Sequence, residues 1–386
     1  MKKISLLLLL CFTAGVFSAC SPRPTVGVDS SGLEPFVIGG IGPLTEEYAP
    51  YGNAVKNGAQ MAVDEINATG GVNGFRLVLN FQDSEGDPDT AVTVYEKLKT
   101  NEMKVLLGGV LSAETAALTE KAAEDGILTV IPTAGDEGLL QGGDNLFRVC
   151  PDHRKTGEAA ATFLADRCQA KNPAVLYCDD AFGNLQIAQS FLEACNKKNV
   201  FTTEIRLTAN MSEADLIQVF SLLAQESYDG IFLALSPEYL PAFFTSFDSE
   251  KTQVLTMDLP KDEVDCEGVA LLSSYFPTEE KGVVRNFTEA YQSLYEESPH
   301  PYAADAYDAV YALAESIRKS GLSPEKIDEE DAEKKLLDAM TKISVKGVTG
   351  TLAWTTDGES TRPLTVKTYE KGVFVPFREE DHGQKP

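Results

Sequence analysis

The chain has 386 residues, of which 59 are acidic and 33 basic, giving a net charge of −26 at neutral pH. So strong an acidic excess repels a phosphate backbone and excludes nucleic acid as a partner. The length exceeds what one hydrophobic core usually supports, so two domains are expected.

The first stretch, MKKISLLLLLCFTAGVFSAC, has a basic start at Lys2 and Lys3, an apolar run from Ile4 to Leu10, and the small residues Ser18 and Ala19 before Cys20. This is the pattern of a secretory signal spanning residues 1–19. Small residues directly before a cysteine resemble the lipobox of bacterial lipoproteins, with Phe17 where leucine is usual. The resemblance implies cleavage before Cys20 and lipidation of that cysteine. The polar SPRPT segment that follows suits a flexible tether over residues 20–35. No later segment approaches the roughly 20 apolar residues of a spanning helix, so any membrane contact runs through the lipid anchor. Beyond Cys20, the cysteines are Cys150, Cys168, Cys178, Cys195 and Cys266, an odd number without a CxxC pair. This is neither a disulfide framework nor a zinc site. Cys168 and Cys195 fall near predicted helix ends, which leaves a bridge between them open.

From Phe36 short apolar strands alternate with helical patterns: FVIGGIGPL, a helix through YGNAVKNGAQMAVDEINATGG, FRLVLNFQD, a helix opened by Asp87-Pro88, then KVLLGGV. In the first helix Val55, Ala59, Ala62 and Ile66 form one apolar stripe that can pack on a sheet. After FRVCPD the alternation restarts, with strands AVLYC, TTEIRL, GIFLAL and VLTMD and helices around 157–168, 185–194 and 216–224. The pattern predicts an α/β fold with two doubly wound parallel-sheet lobes. A helical block over 282–318, followed by strand and hairpin patterns, fits neither lobe alone. The chain is therefore expected to return to the first lobe and finish in the second.

Catalytic machinery is missing. There is no GxSxG, no HExxH, no GxxxxGK[ST], and GGIGPLT lacks the third glycine of a dinucleotide fingerprint. Only His153, His300 and His382 could serve as imidazole bases. No cofactor or metal is indicated, and the chain reads as a binding protein rather than an enzyme. Ser112, in LLGGVLSAET, follows a strand and opens a helix, where a hydroxyl can cap the helix or donate to a ligand in the crevice at the strand ends. Thr133 and Ala134 follow the next strand. Asp258 lies at the mouth of a second-lobe strand, as a turn residue or as a partner for an ammonium. Tyr51, Phe182 and Tyr302 each open or follow an element, as core residues or as cleft walls.

Six stretches, IGPLTEEYAPYGNAVKNGAQMAVDEINATGGVNG, QDSEGDPDTAV, VLLGGVLSAET, GILTVIPTAG, PYAADAYDAVYALAESI and VKGVTGTLAWTTDGE, resemble in order and spacing the type I periplasmic binding proteins of ABC importers, in particular the leucine/isoleucine/valine-binding family. The resemblance implies two lobes joined by a three-segment hinge, closing on a ligand cleft between them. It divides the chain into lobe 1 (36–149 and 277–348), lobe 2 (150–276 and 349–378) and a polar tail (379–386). It implies that Ser112 and the Thr133-Ala134 segment receive an α-carboxylate, that Asp258 with tyrosine groups holds the α-ammonium, and that Tyr51, Phe182 and Tyr302 line the side-chain pocket. Gly135, where a threonine is frequent, and Phe182, where a tyrosine is, depart from that pattern. The implied function is an exported, lipid-anchored protein on the outer face of the cytoplasmic membrane that captures an amino acid, branched-chain or related, for an ABC permease. A ligand-sensing receptor module for a small polar molecule is the alternative.

Overall fold

The computed structural model describes residues 32–178, 183–208, 211–247, 252–260, 265–278, 282–362 and 364–378. The signal segment, Cys20, Phe182 and the polar tail lie outside the described residues.

The first sheet contains β1 (Glu34–Gly42), β2 (Phe75–Asp83), β3 (Val105–Gly108), β4 (Thr129–Ile131) and β5 (Leu146–Arg148). All its strands are parallel, in the order 2-1-3-4-5. The intervening helices are α1 (Ala49–Ala68), α2 (Pro88–Thr100) and α3 (Ser112–Asp125). Because side chains alternate across a strand, the sheet builds a core on each face. Val105 and Leu107 pack with the α1 stripe of Val55, Ala59, Ala62 and Ile66. Leu106 packs on the other face with Tyr95 and Leu98 of α2 and Leu118 of α3. Asp87 caps α2 as its sequence predicts, accepting the Thr90 amide at 2.8 Å ahead of Pro88.

The second sheet repeats the plan. Strands β6 (Pro173–Cys178), β7 (Thr203–Leu207), β8 (Gly230–Ala234), β9 (Gln253–Thr256) and β10 (Ala270–Ser273) lie parallel, so that β6 takes the place of β1 and the same order recurs. Val175, Phe232 and Leu255 face α4 (His153–Ala161) and α5 (Asn184–Lys197). Ala174, Leu176, Ile231 and Val254 face α6 (Glu213–Leu223) and α7 (Leu240–Ser246). A wider π turn, Thr162–Arg167, continues α4. The five described cysteines are free thiols, Cys168 and Cys195 included.

The chain then crosses back. Helices α8 (Val283–Tyr295), α9 (Pro301–Ser320) and α10 (Ala332–Met340) and the antiparallel pair β11 (Ser344–Gly347) and β12 (Gly350–Ala353) precede β13 (Thr365–Glu370) and β14 (Val373–Pro376). Ala306, Val310, Leu313 and Ile317 of α9, with Leu336, Val345, Leu352 and Trp354, complete the first-lobe core. Strand β13 adds to β10 antiparallel and β14 adds to β13, extending the second sheet. The lobes are linked three times, and the described residues of these crossings are 149–152, 274–278 and 354–362. The return to the second sheet begins later than the boundary at 349 read from the sequence, because Leu352 and Trp354 are apolar partners of the first-lobe core; Trp354 also donates from Nε1 to the Arg148 carbonyl at 2.8 Å. Helix α10 was not anticipated, since its charged surroundings mask a short apolar stripe of Ala332, Leu336 and Met340. No helix among the described residues is long and apolar enough to cross a membrane.

Candidate functional site

Parallel strands deliver the loops at their carboxyl ends to one edge of each sheet, which is where open α/β sheets bind ligands. Here the two edges face one another. Thr133, after β4, meets Leu235 to Pro237 after β8, Met257 and Asp258 after β9, and Ser273 and Ser274 at the end of β10. The cleft has two confluent hollows. A hinge-side chamber of about 180 Å³ is bounded by the crossing residues Cys150, Pro151 and Arg362 and by Thr133, Asn184, Ser236 and Tyr302. A larger hollow of about 950 Å³ opens beside it, walled by residues of α1 and by Leu259, Pro260 and Tyr275. Tyr51, Asp258 and His300 belong to both walls.

The shared wall carries the most open polar chemistry. Asp258 accepts the Leu259 amide on Oδ1 at 2.8 Å, while its Oδ2 stands 3.6 Å from Nε2 of His300. That separation is too long for a direct hydrogen bond. His300 opens α9, where its Nδ1 accepts the Tyr302 amide at 3.2 Å, and its Nε2 is buried without a hydrogen-bond partner. Its ring meets Tyr302 edge-on at 4.6 Å and Tyr51 at 5.3 Å, making an aromatic corner beside the carboxylate. Desolvation raises the phenol of the partly buried Tyr302 well above its ordinary value, so it stays protonated.

Ser112 is placed otherwise than its sequence context implies. It is the first residue of α3 and lines neither hollow; its Oγ donates to Oδ1 of Asp136 at 2.8 Å. The same Asp136 oxygen lies 2.9 Å from Nδ1 of His153. Burial pushes the Asp136 carboxyl upward, but the bonds from His153 and Ser112 and the charge of Arg148 outweigh it, and the group sits below its ordinary value. The helix start is filled from within as well. Glu114 accepts the Val110 amide at 2.7 Å, the Leu111 amide at 3.0 Å and the Ser84 hydroxyl. Its complete burial pushes the carboxyl up against those three bonds. The chain itself thus supplies the carboxylates that a ligand was expected to bring to this corner. Ala134 is likewise absent from the cleft wall, being packed with Ile131 and Leu139. Thr133 does reach the chamber, although its hydroxyl is spent on the Val110 carbonyl at 3.0 Å.

Of the residues singled out from the sequence, Tyr51, Thr133, Asp258 and Tyr302 come together in the cleft, Ser112 and Ala134 do not, and Phe182 is undescribed. Sequence reasoning missed His300 and Arg362. His300 was weighed only as a catalytic base, and Arg362, between two predicted strand and hairpin patterns, was not singled out. Among the described residues no cluster of His, Cys, Asp or Glu could hold a metal ion.

Two similar α/β lobes facing one another across a polar cleft define a two-lobed small-molecule binding protein. The family profile described as periplasmic binding protein matches residues 35–372, and the chain belongs to that family, whose members are non-enzymatic solute-binding proteins of ABC transport systems. It is 32% identical over 186 residues to Leu/Ile/Val-binding protein homolog 3 of Brucella melitensis, covering 48% of this chain and 50% of that one. The chain thus matches about half the length of that curated relative. Its fold is similar to a branched-chain amino acid substrate-binding protein of Streptococcus pneumoniae in complex with isoleucine, with a TM-score of 0.72 and 24% identity over 88% of this chain and 98% of the other. It is equally similar to a solute-binding protein of R. palustris in complex with benzoate, with a TM-score of 0.73 and 19% identity over 88% and 95%.

Proposed function

We propose that this chain is the exported, lipid-anchored component of an ABC importer, and that it captures an amino acid in the interlobe cleft and hands it to a membrane permease. The observation that carries the ligand class is the Asp258 carboxylate at the junction of both hollows. The half-buried Asp258 carboxylate is an acceptor for an ammonium there, while His300 Nε2, 3.6 Å from Asp258 Oδ2, carries the ring proton, because Nδ1 accepts the Tyr302 amide, and is a donor for a ligand oxygen. The rings of Tyr51 and Tyr302 offer an apolar wall for a side chain. The names of the curated relatives support a branched-chain or related amino acid. The aromatic corner also favours a second reading, an aromatic carboxylic acid held edge to face, in keeping with the benzoate-bound structure.

A ligand gripped from both lobes binds the closed form better than the open one, and only that difference can drive closure. Calorimetry with isoleucine, leucine, valine and benzoate, paired with small-angle scattering, tests the reading. The expected outcome is saturable binding of an amino acid with a smaller radius of gyration. Binding of benzoate alone transfers the cleft to the second reading, and an unchanged radius with bound ligand removes hinge closure. Cys20→Ser is expected to shift the protein from the membrane fraction to the soluble one, and unchanged membrane retention would remove the lipid anchor.

A further inference from the structure

The hinge-side chamber contains an arginine with more donors than acceptors. Arg362 lies on the third crossing, with a side chain only 2% exposed. Its Nη1 donates to Oδ1 of Asp305 on α9 at 2.7 Å, whereas its Nε and Nη2 are buried and have no hydrogen-bond partner. Those two nitrogens share one edge of the guanidinium plane, and their N–H bonds point the same way. Such an edge matches the two oxygens of a carboxylate.

The other fully buried arginine provides the contrast. Arg148 donates from Nη1 to the Asp136 carbonyl at 2.8 Å and from Nη2 to Glu359, leaving only Nε without a partner, and it lines neither hollow. A structural arginine in this chain is therefore consumed by the chain. Arg362 borders the chamber and keeps its carboxylate-matching edge unspent. Leaving two such donors permanently dry is costly, so the arrangement calls for an acceptor that arrives from outside.

We propose that Arg362 is the carboxylate anchor of the cleft, its Nε and Nη2 donating to the two oxygens of a small monocarboxylate seated in the hinge-side chamber. This rests on the reading of the cleft as a small-molecule site, and it moves the carboxylate from Ser112, whose hydroxyl Asp136 already holds, to the hinge. Asp305 fixes the guanidinium by its far nitrogen and is a positioning residue. The rest of the ligand extends past Tyr302 and His300 toward the larger hollow, so a zwitterion can reach Asp258 and an aromatic acid can reach the rings.

The test uses acid and amide pairs on the whole chain: L-isoleucine against L-isoleucinamide, and benzoate against benzamide, each by calorimetry and thermal shift. Wild type is expected to bind at least one acid about a hundredfold more tightly than its amide, as when one partner of a desolvated charge pair is lost. Arg362→Gln should erase that preference by weakening the acid while leaving the amide within about threefold. Because the glutamine leaves Asp305 without its cation, Arg362→Lys is the companion: it keeps a charge beside Asp305 but not the two-donor edge, and should still weaken the acid about tenfold. Equal binding of acid and amide by wild type, or an Arg362→Lys variant that binds the acid normally, overturns the proposal. Isoleucine binding indifferent to Arg362→Lys retains the amino-acid reading and rejects the anchor; benzoate binding that needs Arg362 does the reverse. Failure of both acids at millimolar concentration rejects both.

Discussion

Two polar corners near the strand ends differ in character, the one at Ser112 outside both hollows and the one at Arg362 on the chamber wall. At the Ser112 corner Asp136 pairs with Ser112 and His153, Glu114 holds Ser84 and two backbone amides, and little is left to offer a ligand. At the Arg362 corner two guanidinium nitrogens and the nearby His300 Nε2 are buried without hydrogen-bond partners. Both corners hold groups suited to a carboxylate, yet only the Arg362 corner keeps buried donors without hydrogen-bond partners. Binding sites are marked by what the fold leaves unsatisfied, and residue type at a strand end is a weaker guide.

This contrast can be broken or sharpened by substitution. The largest effect is expected at Glu114, since Glu114→Ala strands two buried amides and a buried hydroxyl at once. At about 1 to 3 kcal/mol for each unsatisfied group, the unfolding free energy should fall by about 3 kcal/mol or more. Urea denaturation reads this directly, and a loss below about 1 kcal/mol would mean that Glu114 does not close the corner. Next comes Asp258→Ala, expected to cost about 2 kcal/mol of ligand affinity, roughly thirtyfold by calorimetry, with little change in melting temperature. A loss under about fivefold would return Asp258 to a turn role.

Ser112→Ala should act in the opposite sense, costing about 1 kcal/mol of stability and less than about twofold in affinity. A tenfold weaker ligand would collapse the distinction between the corners. The smallest effect concerns pH. Asp136 titrates below 3.8, its ordinary value, so its contribution to stability is complete above that pH and is lost as the pH falls through the lower folded value. Asp136→Asn should therefore lower stability near neutrality and flatten the acid limb of the melting curve below about pH 4. An acid limb identical to wild type would show that the pairing with His153 and Ser112 contributes nothing.

Much of the fold was legible because apolar periodicity reports burial directly: the Val55 to Ile66 stripe and the apolar run at Val105 to Leu107 pack as their spacing demands. The site was only half legible. Asp258 and Thr133 line the cleft as expected of residues at strand ends, because the strand end determines where a loop residue goes. Ser112 was misplaced because a strand end does not say which partner claims a hydroxyl; Asp136, 24 residues on, reaches it first. Arg362 was invisible for a different reason. It enters the cleft by way of a crossing segment, and its meaning depends on Asp305, 57 positions away, taking only one of its nitrogens.

His153 is the first helical residue after the chain leaves the first lobe, and it is fastened back to that lobe by its own amide, which donates to the Gly135 carbonyl at 2.8 Å, and by Asp136. Its ring also lies where side chains at Gly135 and Gly183 would have to be, so the backbone at those two glycines approaches its edges closely. Gly183 belongs to the second lobe, at a backbone angle of φ +73° that glycine tolerates. In the hinge closure proposed above, an imidazole tied and gripped from both sides is the pivot: it would oppose sliding of the lobes at the hinge end and favour rotation, with the largest travel at the mouth and the least around Arg362.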